Sequence, residues 1–447
     1  MNDLPVVVVG AGPIGLAAAA ELRERGLRPL VFERGETAGA AVSQWNHVRL
    51  FSRWDELVAP AGRRLLEATG WVAPNVDAYP TGSEWANDYL IPLAGALGAD
   101  TVRLGTEVVG VARRGRDRVV DAGREGEPLS VHIRRADGRE ERVLAQAVID
   151  ASGTWGSPNP LGGEGLPALG ESAAADLIDY RVPDLADHSV RARHAGKHTV
   201  IVGSGHSALT AIIALAGVAK DAPGTRISWV LRRGEVGSTF GGGEADQLPA
   251  RGALGLRAEQ AVDEGHLNVV TGFRTAAIEP DAGGLVLVSD AGQRIEGVDR
   301  VVVLTGFRPD LSWLSEIRLG LDLVLQAPVE LAPLIDPNVH SCGTVYPHGV
   351  KQLSHPEPNV FLAGMKSYGR APTFLAMTGY EQVRSIAAAL AGDHESATRV
   401  ELTLPETGVC GGAGVFDEPD NASTASDGGC CAAPAPQLIS LATTPAR

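Results

Sequence analysis

The segment Val6–Gly15 reads VVVVGAGPIG, an apolar run that ends in three spaced glycines. Its β-branched residues favour a buried strand, and proline suits the first turn of a helix. In such a strand, turn and helix, the glycines expose backbone N–H groups at the positive end of the helix, where a pyrophosphate can bind. The segment therefore predicts a dinucleotide-binding unit, and its ligand-facing residues are Gly10, Gly12, Pro13 and Gly15.

A second segment of the same kind lies in the middle of the chain. Residues 200–208 read VIVGSGHSA, with alanine in place of the third glycine. Because it repeats the order of strand, glycine turn and helix, it predicts a second dinucleotide-binding unit. Two such units in one chain indicate two dinucleotides between which electrons pass. The residues predicted to contact the second ligand are Gly203, Gly205, His206 and Ser207.

The charge that follows the second strand differs between the units. In the first unit, Glu33 lies where a carboxylate accepts hydrogen bonds from a ribose 2′-OH and repels a 2′-phosphate, which favours FAD or NAD. In the second unit, Arg232 and Arg233 follow the strand, and two guanidinium groups can bind a 2′-phosphate. We therefore predict NADPH in the second site. The alternative is that both arginines are solvated side chains at a strand end.

The chain divides into four predicted regions. Residues 106–148 alternate apolar and polar side chains, which is typical of an antiparallel meander, and the last residues are too rich in Gly, Ala, Ser, Thr and Pro to bury a core. We expect an α/β protein with two Rossmann-like dinucleotide-binding domains, the second inserted into the first, and a disordered C-terminal tail. The predicted regions are an N-terminal segment of the first dinucleotide-binding domain (1–157), the second dinucleotide-binding domain (158–308), a C-terminal segment of the first domain (309–395) and a Cys-containing flexible tail (396–447).

Bulk composition excludes several classes of partner. The chain has 447 residues, 44% of them hydrophobic, and a net charge of −15. No basic stripe is available for nucleic acid. No stretch reaches the roughly 18 to 20 apolar residues that a membrane helix needs, and the first apolar run lacks the basic flank of a targeting segment. We expect a cytoplasmic protein with a small-molecule substrate.

Several motifs and their order resemble class B flavin monooxygenases over about residues 5–395. These motifs are the two glycine turns, ASGTW at 151–155 and LTGFRPD at 304–310. The stretches FGGGEADQLPAR (240–251) and GMKSYGRAPTF (364–374) are similar to the flavin monooxygenases, or pyridine nucleotide-disulfide oxidoreductase-like proteins, of bacterial arsenic-resistance operons. The resemblance implies FAD in the first site and NADPH in the second.

The resemblance also implies a reaction. NADPH reduces FAD, the reduced flavin adds dioxygen to form a C4a-hydroperoxide, and a soft nucleophile such as sulfur, nitrogen or trivalent arsenic takes the oxygen. One departure concerns a His-Ser pair that precedes an aromatic residue in the family and helps couple the two domains. Here residues 176–180 keep only Tyr180. The missing histidine therefore weighs against the implied oxygenation step and leaves the implied reduction of the flavin unchanged.

The loop after the second strand of the first unit supplies four candidate residues beside the flavin. They are Gln44, Trp45, Ser52 and Arg53. Ser52 and Arg53 are candidates for a catalytic role. Ordinary packing within the domain is the alternative for all four, and for Trp45 both interpretations carry equal weight.

A helix is predicted from about Pro372 to about Leu390. Its N-terminal dipole would stabilise negative charge on the reduced flavin, and Lys366 and Arg370 would reinforce that effect. The alternative is that both basic residues are solvated. Lys366 completes the catalytic candidates together with His355, which we expect in the substrate cavity. Further predicted cofactor contacts are Gly153, Gly306, Gly364 and Thr373.

The cysteines argue against one familiar flavoprotein chemistry. A disulfide reductase needs two cysteines separated by a few residues beside the flavin, and no such pair occurs in either dinucleotide domain. Cys410, Cys430 and Cys431 on the tail could trap a soft ion such as trivalent arsenic, or have no role. A flavoprotein reductase or a metalloid-binding protein is therefore the rival hypothesis. No metal site is expected, because His340, Cys342, His348 and His355 are irregularly spaced.

Overall fold

The computed structural model describes residues 3–246, 248–339, 348–372 and 374–402. The strands are β1 (Val6–Val9), β2 (Pro29–Phe32), β3 (Val102–Arg103), β4 (Thr106–Arg113), β5 (Leu129–Arg135), β6 (Glu140–Ala145), β7 (Ala147–Asp150), β8 (Ile178–Asp179), β9 (His198–Val202), β10 (Arg226–Val230), β11 (Asn268–Val270), β12 (Thr275–Asp281), β13 (Gly284–Ser289), β14 (Arg294–Val298), β15 (Arg300–Val303) and β16 (Val360–Leu362).

The α-helices are α1 (Pro13–Glu24), α2 (Ala40–Ser43), α3 (Trp54–Leu57), α4 (Pro60–Glu67), α5 (Gly82–Trp85), α6 (Ile91–Leu97), α7 (His188–Ala192), α8 (His206–Asp221), α9 (Pro249–Asp263), α10 (Ala332–Ile335), α11 (Val350–Leu353), α12 (Ala376–Leu390) and α13 (His394–Thr398). A π-helical turn (Ala86–Leu90) joins α5 to α6. Short 3₁₀ turns occupy Ala175–Leu177, Gly237–Phe240, Gly243–Ala245, Ser312–Leu314 and Gly364–Tyr368.

The first unit is built on a parallel sheet with the strand order β16-β7-β1-β2-β3. Its central strand, β1, is buried along its whole length because all four residues are valine. Helices α1 and α12 pack together on one face, and the predicted meander, here β4-β5-β6, covers the other. Since β16 comes from a late region of the chain, two separated segments build this sheet.

The second unit is a parallel sheet with the order β11-β10-β9-β15-β8. Helices α8 and α9 pack on one face, and a three-stranded antiparallel sheet, β12-β13-β14, covers the other. This second meander was not predicted from the sequence, and with it the internal repeat of fold extends beyond the glycine turns. The predicted fold class is confirmed, with two Rossmann-like sheets in one chain.

The chain passes from the first unit to the second after β7 and returns after β15. These two connecting segments, the first and second crossings, lie side by side. Pro158 and Phe307 form an isolated antiparallel bridge. The backbone N–H of Asn159 donates to Gly306 at 2.9 Å, and that of Arg308 donates to Ser157 at 2.8 Å. Both crossings leave the carboxyl ends of parallel strands, so this pair of segments runs beside the edge where ligands bind in such sheets.

The late helix differs from its prediction at one end. Helix α12 ends at Leu390 as predicted but begins at Ala376, so Pro372 does not lie in its first turn. The reason is local: Leu375 keeps an extended backbone, and the ring of Phe374 packs edge-on against Tyr368 at 5.0 Å. Thr373, a predicted cofactor contact, lies outside the described residues.

The end of the described chain is packed rather than free. Helix α13 extends past residue 396, where the tail was predicted to begin. The Ser385 hydroxyl donates to the carbonyl of Ala397 at 2.6 Å, and Arg384 donates to that of Arg399 at 2.6 Å. All four cysteines lie outside the described residues. Within the described ranges, no helix is long and apolar enough to cross a membrane.

Candidate active site

The first glycine turn lies at the carboxyl edge of the first sheet. Gly10 has a φ of +97°, and a Cβ there would stand 2.9 Å from the carbonyl oxygen of Ala151. A Cβ at Gly15 would stand 1.9 Å from the carbonyl oxygen of Gly10. These two glycines are required by the protein's own packing. At Gly12, by contrast, no described atom beyond its chain neighbours lies within 4 Å of a Cβ, so space for a ligand remains.

Glu33 lies beside this turn. Its carboxylate accepts hydrogen bonds from the backbone N–H groups of Ala11 at 2.7 Å and Gly35 at 2.8 Å. A carboxylate has more acceptor positions than these two bonds use. The half-buried side chain can therefore fix the turn and still accept a ribose hydroxyl.

In the second glycine turn too, the first glycine is crowded by backbone and the middle one is not. Gly203 has a φ of +134°, and its Cβ would stand 2.3 Å from the carbonyl oxygen of Leu304. Gly205, which precedes α8, has no described atom beyond its neighbours within 4 Å. Ala208, in the place of the third glycine, is fully buried. In both units, a Cβ at the first glycine would collide with neighbouring backbone, whereas the Cβ position of the middle glycine is open.

The strand register shows which residue of the second unit corresponds to Glu33 of the first. Val9 pairs with Phe32 in the first sheet, and Val202 pairs with Val230 in the second. Leu231 therefore occupies the position of Glu33 and is buried, while Arg232 follows one residue later and is exposed. The second site thus has an apolar residue where the first has a carboxylate, with two arginines directly after it.

The loop that follows β2 and contains the four candidates, here called the flavin-side loop, contacts the first crossing through Gln44. Its Oε1 accepts a hydrogen bond from the indole N–H of Trp155 at 2.8 Å. Trp45 packs instead on Gly82, and its ring lies 6.3 Å from that of Trp85. The contacts of Trp45 therefore match the packing interpretation.

The two catalytic candidates of this loop lie at its end. Arg53 donates to Asp55 at 3.1 Å and to Asp77 at 3.2 Å, and its backbone N–H donates to Glu56 at the start of α3. Ser52 is half-buried beside it. These ion pairs tie Arg53 to its own surroundings.

The same loop also contacts the second unit. The ring of Phe51 lies 5.1 Å from that of His206 at the start of α8. Nδ1 of His47 lies 4.0 Å from Asp184. Sequence reasoning missed His47 and Phe51, because neither belongs to a motif or to a periodic pattern. These contacts show that the loop packs against the second unit.

Lys366 is buried rather than solvated. Its Nζ lies 2.7 Å from Asp150, with both side chains no more than 1% exposed, and it donates to the Ser152 hydroxyl at 2.9 Å. The ring centroid of Trp313 lies 5.0 Å away. The solvated alternative is wrong for Lys366, whose charge is paired with the end of β7. Arg370 is exposed and donates to Gln326 at 2.9 Å.

Three further predicted glycines follow strands at these two carboxyl edges. Gly153 follows β7, Gly306 follows β15 and Gly364 follows β16, with φ angles of +69°, +94° and +70°. Residues that carry a side chain rarely adopt such φ angles, so glycine is favoured at each turn. Gly153 and Gly364 therefore lie near the first glycine turn, and Gly306 lies near the second.

His355 lies apart from the other candidates. It precedes β16, at the amino edge of the sheet, and its Nδ1 lies 3.2 Å from the carbonyl oxygen of Gly320. Burial lowers the pKa of its imidazole to about 4. Because the glycine turns lie at the opposite edge, the structure does not bring His355 together with them.

Comparison with known proteins identifies the lineage. The sequence profile of the pyridine nucleotide-disulphide oxidoreductases matches residues 4–346. The chain belongs to this family. A ferredoxin–NADP reductase of Ignicoccus hospitalis is 26% identical over 320 residues, which are 70% of this chain and 81% of the relative. The indole-3-pyruvate monooxygenase YUCCA4 of Oryza sativa is 27% identical over 213 residues, 46% of this chain and 44% of the relative.

Solved structures share the fold. The bacillithiol disulfide reductase Bdr of Bacillus cereus superposes with a TM-score of 0.63 at 20% identity, covering 87% of this chain and 99% of that one. A flavin-containing monooxygenase of Stenotrophomonas maltophilia gives 0.53 at 22% identity, with 88% and 99% covered. FAD and a pyridine nucleotide are typical of the family, and this oxidoreductase is a flavin-dependent, NAD(P)H-using enzyme.

Proposed function

We propose that this oxidoreductase is an FAD-dependent, NADPH-using monooxygenase that transfers one oxygen atom of dioxygen to a soft nucleophile. The carrying observation is the pair of glycine turns, each with an open middle glycine, at the carboxyl edges of two parallel sheets that are joined by the two paired crossings. A Cβ would fill both open spaces, so the residues present fit two pyrophosphates. When bound, FAD supplies the redox chemistry of hydride acceptance and oxygen activation.

The first site has the residues to hold FAD. Gly12 lets the pyrophosphate approach the N-terminus of α1, and Glu33 accepts a ribose hydroxyl. Gly153 and Gly364 let the backbone approach the rest of the cofactor. The buried contact of Lys366 with the end of β7 holds one of these turns in place, so Lys366 acts through the turn as a positioning residue.

The second site has the residues to hold NADPH. Gly205 lets a pyrophosphate approach the N-terminus of α8, whose first residues, His206 and Ser207, are exposed. Leu231 offers no carboxylate to repel a 2′-phosphate. Arg232 and Arg233 follow at the end of the strand and can bind that phosphate through forked, charge-assisted hydrogen bonds.

The cysteine pattern supports dioxygen over a disulfide as the electron acceptor. The sequence has four cysteines, and none of them precedes residue 342. Neither Rossmann-like sheet therefore carries the paired thiols that would pass electrons from the flavin to a disulfide. Sulfur, nitrogen and trivalent arsenic are the soft nucleophiles that we propose as oxygen acceptors.

The arsenic assignment depends on two sequence motifs alone, since none of the relatives described above carries arsenic in its name. The first motif has a structural role in the fold. Arg251 and Asp246 form a buried ion pair at 2.9 Å that braces the start of α9. Metalloid binding by Cys410, Cys430 and Cys431 stays a prediction outside the described residues.

A flavoprotein reductase is the second candidate. It is favoured by the ferredoxin–NADP reductase relative, of which this chain covers 81%. In that function, electrons would leave the flavin for an external carrier instead of dioxygen. The residues proposed for FAD and NADPH would keep the same roles, so only the final acceptor distinguishes the two candidates.

A product balance tests the proposal. The FAD-loaded protein is supplied with NADPH and dioxygen, together with a thioether, a tertiary amine or arsenite. We expect one of these probes to yield an oxygenated product in proportion to the NADPH consumed. Release of all electrons as hydrogen peroxide, or their transfer to a ferredoxin without any oxygenated product, would overturn the monooxygenase assignment.

A further inference from the structure

Arg181 lies on an aromatic platform between the two units. Its Cζ is 4.1 Å from the ring centroid of Trp155 and 5.1 Å from that of Phe307. The two rings are themselves 5.1 Å apart. Trp155 belongs to the first crossing and Phe307 to the second, so the guanidinium packs on both crossings at once.

The hydrogen bonds of Arg181 leave its charge unneutralised. It donates to the carbonyl oxygens of Trp155 at 2.6 Å and of Tyr180 at 3.0 Å. Among the described residues, no carboxylate oxygen lies within 4.0 Å of its nitrogens. Burial lowers the pKa of this guanidinium. A half-buried cation without a counter-ion is costly, and a guanidinium carries more N–H donors than these two bonds use.

The surroundings of Arg181 are those of the proposed site. Trp155 follows the turn at Gly153 and bonds to Gln44 of the flavin-side loop. Phe307 follows the turn at Gly306. Both turns are at carboxyl edges where we place the two dinucleotides, so Arg181 lies close to where their reactive ends would meet.

We propose that Arg181 binds an oxyanion of a ligand held between the two units, either a phosphate of the nicotinamide half of NADPH or the carboxylate of an anionic substrate. Both groups match the planar fork of a guanidinium. The cation–π contact with Trp155 holds the fork in one orientation. This inference rests on the proposed function, because it needs nucleotides bound between the two units.

Binding measurements on the FAD-loaded protein separate the two sources. The probes are NADPH, nicotinamide mononucleotide and 2′,5′-ADP, together with an aryl 2-oxo acid and the neutral aryl ketone of the same ring. The variants are Arg181→Gln and Arg181→Lys. Arg191→Gln is the matched control, because this half-buried arginine on α7 already pairs with Asp221 at 2.8 Å. Circular dichroism checks that each variant folds.

A phosphate role predicts that Arg181→Gln weakens the binding of NADPH and of the mononucleotide about tenfold or more, and leaves 2′,5′-ADP unchanged. A carboxylate role predicts the same loss for the oxo acid alone, with the neutral ketone and NADPH unaffected. Arg181→Lys should fall between wild type and Arg181→Gln, because it keeps the charge and loses the fork. Either pattern supports the inference.

Equal affinities of wild type and Arg181→Gln for every probe would overturn the inference and leave Arg181 as a brace between the crossings. If Arg181→Gln does not fold, Arg181→Lys decides, and its equality with wild type for every probe is then the contradicting result. Failure of the wild-type protein itself to bind NADPH would instead overturn the proposed function.

Discussion

The two nucleotide-binding units share a backbone plan and differ in the electrostatics at their carboxyl edges. Each has a first glycine whose Cβ would collide with neighbouring backbone and a middle glycine that is open. The first unit adds Glu33 beside the turn and a buried ion pair of Lys366 with Asp150. The second has Leu231 and then Arg232 at the corresponding strand end. We therefore propose that the shared plan binds dinucleotides and that the side chains around it determine which dinucleotide each unit binds.

The largest predicted effect concerns the buried ion pair of the first unit. Lys366→Met should lower the free energy of unfolding by about 3 to 5 kcal/mol, because Asp150 is left buried without a counter-charge. Lys197→Met is the matched change in the second unit, where Lys197 is exposed and lies 3.4 Å from Asp299. It should cost less than about 1 kcal/mol. Denaturant unfolding measures both, and equal losses would contradict this difference between the units.

The closed and open glycines of the second turn should respond differently to a methyl group. Gly203→Ala is expected to cost about 2 to 4 kcal/mol, because the new Cβ meets the Leu304 carbonyl and the backbone is strained. Gly205→Ala should change stability by less than about 0.5 kcal/mol. Thermal unfolding of the two variants provides the measurement. A loss at Gly205 as large as that at Gly203 would mean that the turn is not open.

The strand-end arginines should set the preference between the two nicotinamide nucleotides. For the Arg232→Ala, Arg233→Ala double variant, we expect the ratio of kcat/KM with NADPH to that with NADH to fall by about 10- to 100-fold, as the 2′-phosphate loses its charged partners. Arg226→Ala, at the other end of β10, is the control and should leave the ratio unchanged. Steady-state kinetics with both nucleotides test this, and an unaltered ratio in the double variant would refute the cofactor assignment.

The smallest predicted effect concerns one histidine of lowered pKa in each unit. Burial lowers the pKa of His355 in the first unit and of His194 in the second to about 4, from an ordinary value of 6.5. As the pH falls below 6.5, the unfolded chain binds these protons first, so stability is lost. Between pH 7 and pH 5, each should contribute about 1 to 2 kcal/mol of that loss, less for the half-exposed His355.

The histidine contribution can be removed one unit at a time. His194→Gln and His355→Gln should each flatten the dependence of unfolding free energy on pH over that interval. Denaturant unfolding at several pH values is the measurement. A variant whose pH dependence equals that of the wild-type protein would show that its histidine is not held neutral by burial.

Features carried by local sequence could be predicted. The valine run of β1 and the glycine spacing after it predict strand and turn without any tertiary information, and the same holds for β9. Glu33 was predicted at the end of the second strand because it directly follows an apolar run, and the structure places its carboxylate beside the glycine turn. The end of α12 at Leu390 was also predicted, because the alanine-rich run of the sequence stops there.

Features that depend on distant partners could not be predicted. The burial of Lys366 could not be predicted, because Asp150 is distant in the sequence and comes next to Lys366 only when β16 pairs with β7. Leu231 was overlooked because only strand register aligns it with Glu33. Arg181 belongs to no nucleotide motif, and it becomes notable only when two separate crossings place Trp155 and Phe307 beneath it.

Two matched substitutions test the central claim most directly. Gly12 and Gly205 both have extended backbones that any residue can adopt, so Gly12→Val and Gly205→Val should fold. The measurement is the FAD content of each purified variant together with its affinity for 2′,5′-ADP. We predict that Gly12→Val loses FAD and still binds 2′,5′-ADP, whereas Gly205→Val keeps FAD and loses 2′,5′-ADP. Loss of both ligands from either folded variant, or of neither, would contradict two separate sites.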